Sequence, residues 1–210
     1  LLITKEGIMD SSHSVVNNPT VADPLHLYDS CPVSDGAAAV LLCPLAMAEK
    51  LTNKPPVVVA GFGQATDTHT LQERDDPTDL KAVRLAAQQA FERAELTPEE
   101  IDVAELHDAF TILEIAESEH VGFFKKGEGG KAALAGHTRL GGKIPINVSG
   151  GLKARGHPVG ATGVAQVVDI VWQLRHELPK NRQVKDAKAG LTVNFGGFGN
   201  NVLALILKRA

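Results

Sequence analysis

The segment from residue 147 to residue 163 holds a histidine, His157, in a setting suited to catalysis. It reads Asn-Val-Ser-Gly-Gly-Leu-Lys-Ala-Arg-Gly-His-Pro-Val-Gly-Ala-Thr-Gly. A short β-branched stretch leads into the segment and an apolar helix is predicted over 164–174, so it is a strand–loop–helix junction. Glycines allow close backbone approach to a ligand, and a helix N-terminus offers free N–H groups and positive potential. An imidazole there can donate to a developing oxyanion or take a proton from a nucleophile.

Three further segments are predicted to lie at the ends of strands, where an open α/β sheet places its ligands. They are residues 61–65 (Gly-Phe-Gly-Gln-Ala), 107–110 (His-Asp-Ala-Phe) and 194–197 (Asn-Phe-Gly-Gly). Together with His157 they bring His107, Asn194 and several glycine amides toward one edge of the sheet. This is a set of groups that can stabilise an oxyanion, but it lacks a nucleophile.

Composition narrows the class of protein. The chain has 210 residues, 43% of them hydrophobic and 22% charged, which suits one domain with a real core, or such a domain plus an appendage. The net charge of −4 and the lack of a basic block argue against nucleic acid as a partner. No apolar run reaches membrane-spanning length, so no membrane partner is expected. Cys31 and Cys43 have neither metal-binding nor redox-pair spacing, which favours a cytoplasmic location and no metal site.

The pattern of apolar residues predicts the elements that must position these groups. Residues 1–30 are polar and irregular and are expected to form a surface loop. Strands are predicted at 37–42, 57–60, 103–106, 144–149, 189–195 and 202–207, and helices at 45–50, 79–94, 111–120 and 163–177. A long loop is expected at 127–142, and the last two strands should form a hairpin. From residue 57 the order is βαβαβαββ, an α/β domain with helices on both faces of a mixed sheet.

Four blocks of the sequence resemble the motifs of thiolases, in the same order. They are residues 34–39 (Ser-Asp-Gly-Ala-Ala-Ala), 107–110 (His-Asp-Ala-Phe), 156–163 (Gly-His-Pro-Val-Gly-Ala-Thr-Gly) and 192–197 (Thr-Val-Asn-Phe-Gly-Gly). The His-Asp pair at 107–108 is typical of the sterol-carrier-protein and archaeal acetyl-CoA acetyltransferase types. The resemblance extends from about residue 20 to the C-terminus. It implies the thiolase fold, with residues 56–210 as the C-terminal domain and residues 1–55 as the loop and last strand of the N-terminal domain.

The resemblance also implies roles for individual residues. His157 would activate a nucleophilic cysteine and contribute to an oxyanion hole, and His107 would bind the thioester oxygen directly or through water. Gly156 would contribute to substrate binding, and the backbone at Gly196 and Gly197 would complete a second oxyanion hole. Coenzyme A or an acyl-CoA would be a substrate, and no covalently bound cofactor is implied. From the residues alone, both histidines could instead satisfy only backbone or neighbouring groups.

The chain departs from the thiolase pattern in three ways. The family's nucleophilic cysteine lies in an N-terminal half that this chain does not contain, and neither Cys31 nor Cys43 is in a position to replace it. Asn194 occupies the place of the acid/base cysteine in the final motif, where it could be catalytic or a turn former. Ala109 stands where the His-Asp-Cys-Phe version has its cysteine. Both usual positions for the second acid/base therefore lack a thiol.

These observations support three hypotheses for function. The first is a thiolase-like acyltransferase of the acetyl-CoA C-acetyltransferase or 3-ketoacyl-CoA thiolase type, inactive without its N-terminal half in the same or another chain. The second is a thiolase-fold retro-aldolase or C-acyltransferase subunit of a complex, with a small zinc-containing partner of the oligonucleotide-binding-like fold. The third is a non-catalytic thiolase-like subunit. A homo-oligomer is expected in each case.

Five further histidines are expected to be solvated: His26, His69, His120, His137 and His176.

Overall fold

The computed structural model describes residues 18–210, apart from the side chain of Glu49. The loop expected at residues 1–30 therefore lies partly outside the described residues. From residue 18 the chain stays near the surface but is not irregular, because β1 (Thr20–Ala22) pairs antiparallel with β2 (Leu25–His26). A 3₁₀ turn over Leu27–Asp29 follows.

A four-stranded mixed sheet forms the centre of the fold. Its strands are β3 (Val57–Thr66), β4 (Val103–Glu105), β5 (Ala189–Gly196) and β6 (Asn201–Arg209), in the spatial order β3-β6-β5-β4. The last two strands form the expected antiparallel hairpin, and β3 adds antiparallel to its outer edge. Only β4 pairs parallel to its neighbour β5, with Glu105 opposite Thr192. The two parallel strands therefore end side by side.

Helices cover both faces of this sheet, as predicted. The helices are α1 (Leu45–Leu51), α2 (Lys81–Ala94), α3 (Thr111–His120), α4 (Gly129–Leu134), α5 (Gly151–Arg155) and α6 (Thr162–Arg175). Helix α2 packs on β3 and β6 within the larger apolar core, and α6 packs on β4 and β5 within a second, smaller one. The α/β layered prediction is confirmed.

Helix α2 lies unusually close to the sheet because small residues face each other. Its inner face is rich in buried alanines, and it ends where Glu95 adopts a left-handed conformation with φ 52°. In β3, a β-carbon on Gly61 or Gly63 would overlap the backbone of this helix. These glycines were expected to follow a strand end at the site. They instead lie inside a ten-residue strand, where they allow helix and sheet to touch.

Two other predicted elements differ from the structure. The strand expected at 144–149 is reduced to one parallel bridge between Ile146 and Ala104. Pro145 has no N–H to donate, and Asn147 leaves the extended region with φ 50°, so pairing stops there. The loop expected at 127–142 contains helix α4, whose first residue Gly129 donates its N–H to Glu119 Oε1 at 2.8 Å. A tertiary contact thus starts a helix that local sequence did not indicate.

The prediction of a buried strand at 37–42 is wrong within residues 18–210. No strand forms there, and the segment is exposed, with Leu41 at 85%. A strand needs a neighbour to satisfy its N–H and C=O groups, and residues 18–210 place none beside it. Together with α1, the start of β3 and Trp172 on α6, this segment lines an apolar groove of about 710 Å³.

The prediction that His120 is solvated is also wrong, because both ring nitrogens contact protein groups. Its Nε2 accepts a hydrogen bond from the N–H of Leu80 at 3.1 Å, and its Nδ1 lies 2.8 Å from the carbonyl oxygen of Ala116. It joins the start of α2 to the end of α3. Within residues 18–210, no helix is both long enough and apolar enough to cross a bilayer.

The close contact between β3 and α2 predicts a large effect from one added methyl group. Gly63→Ala should lower the free energy of unfolding by about 1–3 kcal/mol, because its β-carbon overlaps the carbonyl oxygen of Ala86. Gly130→Ala is the matched control, since nothing lies within 4 Å of the added atom, and it should raise stability by about 0.5–1 kcal/mol in a helix. Urea unfolding measures both. Equal midpoints for the two variants would contradict this packing.

Candidate active site

The ends of the two parallel strands and the start of helix α6 bring the predicted site residues together. His107 lies just beyond β4, Asn194 lies in the last part of β5, and His157 lies in the loop before α6. The rings of His107 and His157 meet edge to face, with centroids 4.9 Å apart and an interplanar angle of 86°. Residues 50 positions apart in sequence thus form one histidine pair.

His157 is held by the first residue of helix α6. Its Nδ1 lies 2.8 Å from Thr162 Oγ1, and that hydroxyl donates its own proton to the carbonyl oxygen of Pro158 at 3.0 Å. Thr162 can therefore only accept from the ring, which places the proton on Nδ1 and leaves a lone pair on Nε2. Partial burial lowers the pKa of His157, against the opposing charge of Asp108. The ring is thus a neutral base at neutral pH.

His107 has the opposite arrangement. Its Nδ1 lies 3.1 Å from Asn194 Nδ2 and faces the backbone N–H of Phe195 at 3.5 Å, so it is surrounded by donors. The proton must then be on Nε2, which can donate to a ligand. The ring stacks on Phe195, with centroids 4.9 Å apart, and its backbone N–H donates to Glu117 Oε2. Burial, and secondarily His157, lowers the pKa of His107 to about 3, so the ring is neutral.

The motif at 34–39 packs against the histidine loop. Gly156 is buried with φ 93°, and a β-carbon there would overlap the Ser34 hydroxyl. A β-carbon on Gly36 would lie 2.7 Å from Pro158 Cγ. Glycine is thus required on both sides of this contact. Two sequence blocks that lie far apart in the chain therefore fix the loop that carries His157.

Asp108, next to His107 in sequence, makes a structural hydrogen bond rather than one to a histidine ring. Its Oδ1 accepts the N–H of Leu152 at 2.7 Å, near the start of helix α5, and a β-carbon on Gly151 would overlap its Oδ2. This contact ties the loop after β4 to the segment that precedes His157. Burial raises the pKa of Asp108, opposed by its backbone hydrogen bonds.

The two glycines of the final motif lie at the open end of the hairpin. Gly196 is the last residue of β5 and pairs with Asn201, while Gly197 is exposed in the turn with φ 59°. They follow Asn194 closely, so they lie on the same edge of the sheet as the histidines. Their backbone contribution to an oxyanion hole stays a prediction.

Three glutamates lie on the elements that carry His107 or follow it, and the sequence prediction did not include them: Glu105 and Glu117 are buried and Glu114 is half-buried. Desolvation raises the pKa of Glu105 to about 8 and that of Glu114 to about 7, and it raises the pKa of Glu117 well above its usual range. Glu105 accepts from the Ser149 hydroxyl at 2.6 Å, and Glu114 accepts from Asn147 Nδ2 at 2.8 Å. Local sequence gave no sign of them, because glutamates on strands and helices usually face water.

The sequence of helix α6 contains a pattern that indicates the buried polar groups of the site. It was predicted as apolar, yet it holds a polar stripe at helical spacing that is buried in the structure: Thr162, Gln166, Asp169 and Gln173. Polar residues recurring at this spacing within an apolar helix indicate contacts with buried polar groups. Thr162 and Gln166 both reach toward the histidines, directly or through one neighbour.

Neither cysteine is fully buried. Cys43 is exposed, and Cys31 is half-buried. The backbone N–H of Cys31 donates to the carbonyl oxygen of Ala109 at 2.8 Å, so it lies beside the 107–110 motif. Burial raises the pKa of the Cys31 thiol, which disfavours its reactive thiolate form. Among the described residues, no group of three or more His, Cys, Asp or Glu could hold a metal ion.

Comparisons with known proteins agree with this architecture. Residues 63–209 match the family model for the thiolase C-terminal domain-like family. The chain is 52% identical to the acetyl-CoA acetyltransferase of Methanothermobacter thermautotrophicus, over 93% of this chain and 50% of that protein. It is 39% identical to sterol carrier protein 2 of Bos taurus, over 93% of this chain and 36% of that protein. The chain therefore spans about half the length, or less, of these relatives.

A solved structure shows the same fold. One chain of the Ltp2-ChsH2(DUF35) aldolase superposes with a TM-score of 0.77 and 25% sequence identity. The match covers 92% of this chain and 50% of that chain.

The buried Glu105 predicts a specific dependence of stability on pH. The folded protein keeps its proton up to about pH 8, whereas the unfolded chain releases it near the ordinary value of 4.5. The folded state binds more protons in this window, so this contribution to stability is complete below pH 4.5 and is lost as pH rises through 8. Glu105→Gln should remove a slope of up to about 1.4 kcal/mol per pH unit from urea unfolding data.

Glu99→Gln serves as the control, because its carboxyl lies on the exposed surface. It should keep the wild-type slope. A Glu105→Gln protein with an unchanged slope would show that Glu105 is already ionised when folded.

Proposed function

This chain belongs to the thiolase family, and we propose that it is the C-terminal part of an acetyl-CoA C-acetyltransferase or 3-ketoacyl-CoA thiolase. The main support is the histidine pair, whose two rings carry their protons on opposite nitrogens. Each Nδ1 is bound within the protein, which leaves each Nε2 for a reacting group. One Nε2 can accept a proton and the other can donate a hydrogen bond. A thioester reaction at a cysteine needs both of these functions.

The proposed step begins at a cysteine supplied by the N-terminal half of the fold, in this polypeptide or another. His157 Nε2 takes the thiol proton, and the thiolate attacks the carbonyl carbon of an acyl-CoA. The negative charge that forms on the carbonyl oxygen accepts the hydrogen bond from His107 Nε2–H. When the tetrahedral intermediate collapses, the carbon–sulfur bond to coenzyme A breaks. The departing coenzyme A thiolate then accepts from His157 the proton that came from the cysteine. The acyl group then remains on the cysteine.

Asn194 has a different role in this proposal from the catalytic acid/base that its place in the motif suggests. A carboxamide does not exchange protons usefully near neutral pH, and here its nitrogen donates to other side chains. We assign Asn194 to positioning His107. The second acid/base for a Claisen condensation must then be another group, or the chain carries out a related reaction.

The division of the chain at residue 55 is part of the same proposal. Residues 1–55 would belong to the N-terminal domain and 56–210 to the C-terminal domain. Support comes from residues 37–42, an apolar run that is exposed and unpaired in the described residues. Apolar residues with strand-like character are stable when a sheet neighbour covers them, which the missing half would provide.

A second candidate is carbon–carbon cleavage by a retro-aldol reaction, in a complex with a partner chain. Two observations favour it: positions 109 and 194 carry no thiol, and the superposed relative is an aldolase. The zinc-containing partner, the homo-oligomer and the cytoplasmic location stay predictions. A non-catalytic subunit is the third candidate, and activity measurements on a His157 variant distinguish it.

Product analysis distinguishes the three candidates. The protein is purified in the form its source makes, with any co-purifying chain, and is given either acetoacetyl-CoA plus coenzyme A or a β-hydroxyacyl-CoA. We expect acetyl-CoA from the first substrate, with a loss in kcat of about 10²–10⁴-fold in His157→Ala. The control is His69→Ala, an exposed histidine, which should keep wild-type activity.

Cleavage of only the β-hydroxyacyl-CoA, to a carbonyl compound and a shorter acyl-CoA, would support the retro-aldol candidate. Activity that is unaffected by His157→Ala would contradict both catalytic candidates.

The hydrogen bond from His157 to Thr162 predicts a graded effect. Thr162→Val keeps the side-chain shape but removes the acceptor for Nδ1–H, so Nε2 should be unprotonated less often. We expect kcat to fall by up to about tenfold, the value of one net hydrogen bond, with KM little changed. Thr162→Ser retains the hydroxyl and should stay close to wild type. If Val and Ser variants lose activity equally, packing rather than the hydrogen bond is the cause.

A further inference from the structure

Gln166 is a fully buried amide on helix α6 that connects the sheet to the histidine pair. We infer that Gln166 is a positioning residue that, acting through Asn194 and together with the longer contact from the Phe195 N–H, fixes the proton of His107 on Nε2. The structural part of this inference is independent of the reaction. Its consequence for catalysis rests on the function proposed above, in which His107 Nε2–H donates to the oxyanion.

The orientation of the Gln166 amide is set by backbone groups that cannot change roles. Its Nε2 lies 3.0 Å from the carbonyl oxygen of Val193 in β5 and 3.3 Å from that of Glu105 in β4. A carbonyl oxygen only accepts, so both hydrogens of Nε2 are used on the sheet. The opposite amide orientation would place an oxygen against two oxygens in a buried site, which is strongly unfavourable. Gln166 Oε1 is therefore left as an acceptor for a neighbouring side chain.

Asn194 lies between Gln166 and His107, and the orientation of Gln166 determines how the Asn194 amide faces the ring. Its Nδ2 donates to Gln166 Oε1 at 3.1 Å and lies 3.1 Å from His107 Nδ1. An amide nitrogen has two hydrogens, one for each neighbour, and no lone pair to accept with. Since the first hydrogen is held by Gln166, the second must point at His107 Nδ1. That nitrogen must then be unprotonated, and the neutral ring carries its proton on Nε2.

Packing keeps the Asn194 amide in this place. A β-carbon on Gly163 would lie 3.2 Å from Asn194 Cγ and 3.3 Å from its Oδ1, so the amide lies against the first turn of helix α6. The stacked ring of Phe195 holds His107 from another side. The chain of contacts thus runs from two backbone carbonyls through two amides to one imidazole, and each link has one allowed donor direction.

The test reads the protonated nitrogen of His107 directly. Solid-state ¹⁵N NMR on histidine-labelled protein, in the form its source makes, separates protonated from unprotonated ring nitrogens, and His107→Gln identifies the His107 signals. In wild type, Nδ1 should be unprotonated and Nε2 protonated at neutral pH. Gln166→Leu frees Asn194 to turn, so a second His107 signal with a protonated Nδ1 should appear. Asn194→Asp replaces the donor with an acceptor and should protonate Nδ1 in a larger fraction of molecules than Gln166→Leu does, against the remaining donation from the Phe195 N–H at 3.5 Å.

Gln173→Leu is the matched control. Gln173 lies on the same helix and is equally buried, and its amide also bonds backbone groups, those of Arg182 and Val184. This variant should lose comparable stability, yet leave the His107 signals as in wild type. A wild-type Nδ1 that is protonated, or a Gln166→Leu spectrum identical to wild type, would overturn the inference.

Activity measured on the same samples separates this inference from the proposed function. If Gln166→Leu moves the His107 proton and lowers kcat more than Gln173→Leu does, both stand. If the proton moves while kcat for acetoacetyl-CoA cleavage is unchanged, the positioning role stands and the oxyanion role of His107 fails.

Discussion

The parallel pairing of β4 with β5 is the constraint on which the rest of the site depends. Parallel strands end at the same edge, so the chain leaving β4 at His107 lies next to Asn194 in β5. The same geometry leaves carbonyl oxygens of both strands within reach of a single amide, that of Gln166. A pairing shifted by one residue would turn these side chains to the other face of the sheet and separate the groups.

Burial then determines the chemistry of the groups brought together. Removal of charge from water is costly, so the histidines are held neutral and the nearby glutamates keep their protons. A neutral imidazole must carry its proton on one nitrogen or the other, and hydrogen-bond partners decide which. The hydroxyl of Thr162 accepts from His157, whereas the amide of Asn194 donates to His107. Two identical side chains thereby acquire different capacities.

The opposite face of the sheet supports this site by close packing. Glycines in β3 allow helix α2 to touch the strand backbone, and the alanines of that helix fill the remaining space. This closely packed layer contrasts with the exposed apolar surface formed by residues 40–42 and the outer side of helix α6. The described residues thus have a complete core beneath the site and an uncovered apolar surface elsewhere. An exposed apolar surface of this kind suits contact with another domain or chain.

The sequence by itself determined the layered α/β class, the terminal hairpin and the two histidines, because periodicity and short motifs are local properties of the chain. It could not determine the extent of pairing at 37–42 or 144–149, because a strand requires a partner that local sequence does not reveal. Nor could it determine the protonation of the site. The contacts that do so join residues far apart, with 87 positions between Asn194 and His107 and 61 between Gln166 and Glu105. Only the folded chain brings these groups within hydrogen-bonding distance and out of water.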